Sequence, residues 1–263
     1  MPLSFTSRPG LIAYVTCGDP NMAAMRDIVL AAIDNGAEVV ELGVPFSDPV
    51  ADGPIIQRAS ERALRNGTTL SDVLKLAREV RAQRAGAGLI IFSYLNPILR
   101  FGPERFCAAA ADAGLDGALV TDLPVEEAGV YLRQMRRREL ATIFLAAPTS
   151  PDERLRRICR VSTGFVYAVS RTGVTGTRKE LTADARELSG RLRRFTALPI
   201  AVGFGISTPE QVAEVGQFAD AAVVGSAIVQ AIENAGAAGE AAQAVAQLVK
   251  QLSARSSQLS ALR

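Results

Sequence analysis

At 263 residues and 48% hydrophobic, the chain can bury a large core, and a net charge of +2 leaves no excess for a nucleic-acid footprint. The absence of histidine excludes imidazole zinc sites, Ser-His-Asp triads and Cys-His dyads within the chain. Three scattered cysteines, Cys17, Cys107 and Cys159, argue against a disulfide framework or a metal cluster, and none of the three lysines lies in an apolar strand where burial would ready it for Schiff-base chemistry.

The segment from Met1 to Gly10 has neither the apolar core nor the cleavage site of a signal peptide, and no long apolar span follows. A cytoplasmic protein with no membrane segment is expected. Short β-branched runs then alternate with amphipathic stretches. Strands are predicted at Leu11–Thr16, Glu38–Gly43, Leu89–Tyr94, Gly117–Thr121, Thr142–Ala146, Gly164–Val169, Ile200–Gly203 and Ala221–Gly225. Helices are predicted at Met22–Asn35, Leu70–Arg84, Pro103–Ala113, Val125–Arg138, Asp152–Val161, Ala183–Phe195, Pro209–Val215 and Glu240–Ser253. Start signals such as Thr69-Leu-Ser-Asp72 and Ser207-Thr-Pro-Glu210 introduce most of them. Strict alternation of this length predicts an α/β fold, a single (β/α)8 TIM barrel domain spanning residues 1–263, with a doubly wound open sheet as the alternative. The arginine clusters at 136–138 and 191–194 lie beside acidic residues on amphipathic stretches and read as solvated helix faces.

The unusual residues gather at the C-terminal ends of the predicted strands, where barrel enzymes build their sites. Glu41 closes an apolar run and leads into a loop carrying Asp48 and Asp52. A desolvated carboxyl group has a raised pKa, which suits a general acid or base. Asp122 ends the fourth strand, where capping the next helix is the alternative role. Tyr14, Phe92, Tyr94 and Tyr167 can line the same mouth and sandwich a planar apolar substrate, although aromatic core packing is the commoner outcome. After the last two strands come Gly203-Phe204-Gly205-Ile206-Ser207 and Gly225-Ser226, each opening a helix. Paired turns of this kind offer free N–H groups to a phosphate. The polar segment Ser170–Thr177, punctuated by Gly173 and Gly176, reads as a lid.

The run Glu41-Leu-Gly-Val-Pro-Phe-Ser-Asp-Pro-Val-Ala-Asp-Gly-Pro54 resembles the signature of the tryptophan synthase alpha chain family. So, in order along the chain, do Thr16-Cys-Gly-Asp-Pro20, Tyr94-Leu-Asn-Pro97, Thr121–Glu127, Ser170–Gly176 and Gly203–Ser207. About ten residues precede the first strand, where the family often carries more of a leading helix. The resemblance implies retro-aldol cleavage of indole-3-glycerol phosphate to indole and glyceraldehyde 3-phosphate, with no cofactor. It implies Glu41 as the acid-base group, Asp52 as the partner of the indole N–H, and Tyr167 beside Glu41. It further implies a phosphate site at Gly176, Gly205, Gly225 and Ser226, Phe204 among the substrate-binding residues, and Thr175 holding Asp52 when the lid closes. The implied partner is a pyridoxal-phosphate-dependent tryptophan synthase beta chain in an alpha2-beta2 heterotetramer, docked on the loops at 41–54, 122–127 and 170–176. A stand-alone lyase and a noncatalytic barrel subunit are the alternatives, and the intact carboxylates and glycines count against the second.

Overall fold

The computed structural model describes residues 3–169, 178–203, 205–236 and 238–260. Eight parallel strands, β1 (Gly10–Thr16), β2 (Val39–Gly43), β3 (Gly88–Ser93), β4 (Gly117–Val120), β5 (Ala141–Ala146), β6 (Val166–Val169), β7 (Ile200–Gly203) and β8 (Ala221–Val224), close into a barrel in sequence order. This is the (β/α)8 barrel expected from the alternation, and each strand lies within two residues of its predicted span. Around it run α1 (Met22–Asp34), α2 (Pro54–Arg65), α3 (Leu70–Gln83), α4 (Leu95–Phe101), α5 (Pro103–Asp112) and α6 (Gly129–Arg137). The outer layer continues with α7 (Asp152–Val161), α8 (Arg178–Arg193), α9 (Pro209–Val215), α10 (Ser226–Asn234) and α11 (Ala238–Ser260). No described helix is long and apolar enough to cross a membrane.

Strand alternation divides the core in two. Ile12, Val39, Ile90, Leu119, Ile143, Phe165, Ala201 and Val223 point into the barrel, while residues such as Ala13, Val40, Ile91 and Val202 pack outward against the helices. Tyr14 pairs with Glu41 and Glu41 with Ile90, so the carboxyl group enters the same interior face as the tyrosine. At the opposite end, buried Leu3 and the Phe5 ring, edge-on to Phe165 with centroids 6.2 Å apart, cover the barrel floor. The described residues before β1, 3–9, thus supply a floor and form no helix.

Local chemistry sets the helix starts. Thr69 and Asp72 form a reciprocal capping box at α3, as do Thr208 and Gln211 at α9. The predicted helix at Val125 instead starts at Gly129, after a turn through residues 124–128. Helices α2, α4 and α10 were not among the predicted spans. The arginine cluster at 191–194 is held by acidic partners, with Arg191 and Arg194 on Asp152 and Arg193 on Asp220. All three cysteines are buried free thiols.

Candidate active site

Glu41 stands near the C-terminal end of β2 with 1% of its surface exposed. Neither carboxyl oxygen has a hydrogen-bond partner among the described residues. Burial pushes its pKa from the ordinary 4.5 up to about 8, so at neutral pH it holds its proton. Leaving a buried polar group unpaired costs about 1–3 kcal/mol, and a fold tolerates that where the group has other work to do.

Asp52 closes the loop between β2 and α2 and is partly buried. Burial raises its pKa to about 6, opposed by a hydrogen bond from the Tyr94 hydroxyl to Oδ2 at 3.1 Å. At neutral pH it is mainly the anion. Two carboxyl groups in one cavity are therefore held in opposite protonation states by their surroundings, the arrangement that separates an acid from a charge stabiliser.

Both carboxyl groups line a cavity of about 260 Å3 at the barrel mouth. Tyr14, Phe92 and Tyr167 line it from the barrel interior, with the Tyr14 and Phe92 rings edge-on at 5.0 Å. The two phenols fit because glycines face them. A Cβ at Gly43 would lie 2.4 Å from the Tyr14 Oη, and one at Gly203 would lie 2.1 Å from the Tyr167 Oη. Burial first, then the Asp52 charge for Tyr14 and the Glu41 charge for Tyr167, raise both phenol pKa values, so both hydroxyls stay protonated.

Gly205, Gly225 and Ser226 also line the cavity. Gly205 has φ +83°, a conformation that L side chains rarely adopt, and leaves open space where a side chain would stand. Gly225 and Ser226 open α10, whose first N–H groups have no acceptor within the helix. An anion can bind there.

Not every predicted residue reaches the cavity wall. Tyr94 stands behind Asp52, accepting the Ala51 N–H at 2.9 Å and packing on Phe46. Asp122 is exposed and accepts the Leu95 N–H at 2.6 Å, which tethers the start of α4. Its capping alternative is the role its geometry performs, although it caps the preceding segment rather than the following helix. Thr175, Gly176 and Phe204 lie outside the described residues, as does the predicted lid at 170–177. The sequence reading missed Ile55, Ile56 and Val223, which make the apolar wall. For Val223 the period of two along β8 was the available signal, and for the isoleucines it was their place directly after Asp-Gly-Pro. Among the described residues, no three histidine, cysteine or carboxylate side chains converge as metal ligands would.

Comparison with known proteins bears on this arrangement. A family model described as "Tryptophan synthase alpha chain" matches residues 3–260. The tryptophan synthase alpha chain of Solibacter usitatus is 54% identical over 227 residues, covering 86% of this chain and 85% of the relative. That of Geobacter sulfurreducens is 48% identical over 231 residues, covering 88% and 87%. The crystal structure of tryptophan synthase subunit alpha from Legionella pneumophila str. Paris superimposes with a TM-score of 0.86 at 36% identity, covering 94% of this chain and 92% of that one. A chain of Mycobacterium tuberculosis tryptophan synthase in its aminoacrylate-bound form gives 0.84 at 35%, covering 94% and 93%. With this identity along nearly the whole barrel, the chain belongs to the tryptophan synthase alpha chain family.

Proposed function

We propose that the cavity cleaves indole-3-glycerol phosphate to indole and glyceraldehyde 3-phosphate, with Glu41 as acid and base and Asp52 as the anion at the indole nitrogen. The observation that carries this reading is the buried, proton-holding Glu41, unpartnered among the described residues, facing the same cavity as an ionised Asp52.

The chemistry needs no external electron sink. Glu41 gives its proton to indole C3, placing positive charge on the ring nitrogen, where Asp52 accepts the N–H and offsets that charge. Glu41, now a carboxylate, takes the proton from the hydroxyl on the carbon attached to the ring. The C–O bond becomes a carbonyl, the C–C bond breaks, and its electrons return to the ring as neutral indole. Glu41 ends protonated, ready for another turnover. A carboxyl group with a pKa near 8 donates readily and is a competent base once ionised. The rings of Tyr14 and Phe92, with Ile55 and Ile56, would flank the indole, and Gly205, Gly225 and Ser226 would hold the phosphate. From the family motifs we also assign Gly176 to phosphate binding, Phe204 to substrate binding and Thr175 as a partner of Asp52.

A beta chain that consumes the indole is the proposed partner, in an alpha2-beta2 assembly with a cytoplasmic setting. Exposed apolar side chains on the mouth-side segments support docking there: Val50 is 86% exposed, Leu99 54% and Val130 57%. The test is to follow indole release from indole-3-glycerol phosphate by the wild-type chain and by Glu41→Gln, each with and without a cognate beta chain. Cleavage that is lost in Glu41→Gln and accelerated by the beta chain is expected. Cleavage without complex formation or acceleration would make the chain a stand-alone lyase.

A further inference from the structure

Helix α2 presents a difficulty that the reaction makes acute. Its first turn and the residue before it, Gly53–Ile56, form one wall of the cavity, directly after Asp52. Yet its buried side chains are only Ala59, Ser60 and Ala63, and its N-cap, Gly53, makes no side-chain capping bond. Such small side chains bury little apolar area and hold a helix weakly against its neighbours. Something else must fix where Asp52 and Ile56 stand.

Two turns along α2, Arg62 donates from Nε and Nη2 to the two carboxylate oxygens of Asp19 at 2.7 and 2.8 Å, and from Nη1 to Glu233 Oε1 at 2.7 Å. Asp19 is 2% exposed and follows β1, the strand that carries Tyr14. Glu233 lies at the end of α10, the helix that begins at Ser226. Arg58 also donates to Glu233, at 3.1 and 3.3 Å, and Gln230 does so at 2.9 Å, which fixes that carboxylate. Asn66, just past α2, donates to the Gly18 and Pro20 carbonyls at 3.1 and 2.7 Å. One guanidinium thus ties together three elements that carry cavity residues: the end of β1, α2 and α10.

We propose that Arg62 is a positioning residue for the cleavage, holding the turn that carries Asp52 in register with the phosphate-facing end of α10. This rests on the function proposed above and explains how the nitrogen-side anion and the phosphate site keep their spacing. A lysine cannot replace it, because a single ammonium lacks the planar fork that meets both oxygens of Asp19 while reaching Glu233.

The test compares the full-length wild type, Arg62→Lys, Glu233→Gln and Glu41→Gln in kcat, KM and the pH dependence of kcat/KM with indole-3-glycerol phosphate, beside the thermal midpoint of each. Arg62→Lys should lower kcat about tenfold to a hundredfold, the scale of a misplaced catalytic group. It should also move the limb belonging to Asp52 toward lower pH, because a loosened turn admits water and relieves the burial that raises that pKa. The titratable groups facing Asp52 are Glu41, Tyr14 and Tyr167 in the cavity and Tyr94 behind it, and Arg62→Lys touches none of them. Glu233→Gln leaves the Asp19 fork intact and weakens the links of Arg62 and Arg58 to α10 by removing the charge and one acceptor oxygen, so it should raise KM several-fold and keep kcat within about twofold. A lowered thermal midpoint with kcat, KM and pH profile unchanged in Arg62→Lys would overturn the positioning role. If Arg62→Lys does not fold, an unchanged KM in Glu233→Gln would overturn it. Wild-type cleavage that Glu41→Gln abolishes, but that neither Arg62→Lys nor Glu233→Gln alters, would remove this inference and leave the proposed function standing. Absence of wild-type cleavage would overturn both.

Discussion

Glu38, just before β2, accepts hydrogen bonds from the Thr6 hydroxyl at 2.7 Å and the Ser7 N–H at 3.1 Å, whereas Glu41, three residues later, has no partner among the described residues. The same division holds around the barrel. At the floor, Asp116 precedes β4 and accepts the Leu89 N–H at 2.7 Å and Arg81 at 2.6 Å. Asp220 precedes β8 and accepts the Ile200 N–H at 2.8 Å and Arg193. Floor carboxylates tie neighbouring strands together, and apolar side chains close the space between them. At the mouth, Glu41 is buried with no hydrogen-bond partner among the described residues, and glycines keep the space open. Reactivity here is a carboxyl group deprived of what its floor counterparts have, and the fold carries the cost because the floor is well bonded.

Glu41→Gln breaks the comparison most severely. It keeps the shape but cannot exchange a proton, so kcat should fall by a factor of about 10² to 10⁴. More than about a hundredth of wild-type turnover in the variant would rule out general catalysis at Glu41. Stability should respond in the opposite sense. Because the folded chain holds the Glu41 proton up to about 8 and the unfolded chain releases it near 4.5, the contribution of Glu41 to stability is greatest below 4.5 and is lost as pH rises from there to about 8. The unfolded state ionises in that window while the folded state does not, a loss of at most about 1.4 kcal/mol per pH unit. Glu41→Gln lacks this slope, so denaturant titrations at pH 5 and pH 8 should differ less for the variant than for wild type. Equal differences would place the carboxyl group in water.

How far this was legible beforehand follows the same physics. The strands were readable because each is a short β-branched run ending in glycine or a turn, and Glu41 stood out as a carboxylate in an apolar run. Helix α2 was missed although Ile55, Ala59 and Ala63 recur at helical spacing, because the buried part of that face, Ala59, Ser60 and Ala63, is small and only weakly apolar. Helix α4 spans only seven residues, with Pro97 inside it and Ile98 as its buried residue. Asp122 and Tyr94 were assigned to the site from their strand-end positions. What each contacts depends on how two loops fold toward each other, which no local pattern encodes.

A floor carboxylate offers the reverse experiment. Asp116→Ala removes the acceptor of the Leu89 N–H and the partner of Arg81, and should cost about 2 kcal/mol of stability, as hydrogen bonds to charged groups usually do. With kcat and KM measured well below the thermal midpoint, activity should be unchanged. A fall in kcat comparable to that of Glu41→Gln would mean that the two ends are not functionally separate.

The smallest effect is expected where the two kinds of carboxylate meet, at Asp52, which lies at the mouth but is hydrogen-bonded. Activity needs Asp52 ionised and Glu41 protonated, so kcat/KM should rise through about 6 and fall through about 8. Tyr94→Phe deletes the hydroxyl that donates to Asp52 and keeps the ring on Phe46. A hydrogen bond to the ionised form lowers a carboxyl pKa, so its loss should move the acid limb upward from about 6. The Ala51 N–H also loses its acceptor, but Ala51 is exposed and water can replace it, so stability should change little. A single hydrogen bond contributes about 1 kcal/mol, which limits the loss in kcat/KM at pH 7 to less than about tenfold. That loss should shrink toward pH 8, where Asp52 ionises with or without Tyr94. A uniform decrease across the pH range would assign Tyr94 to loop packing, and an unmoved acid limb would show that some other group carries it.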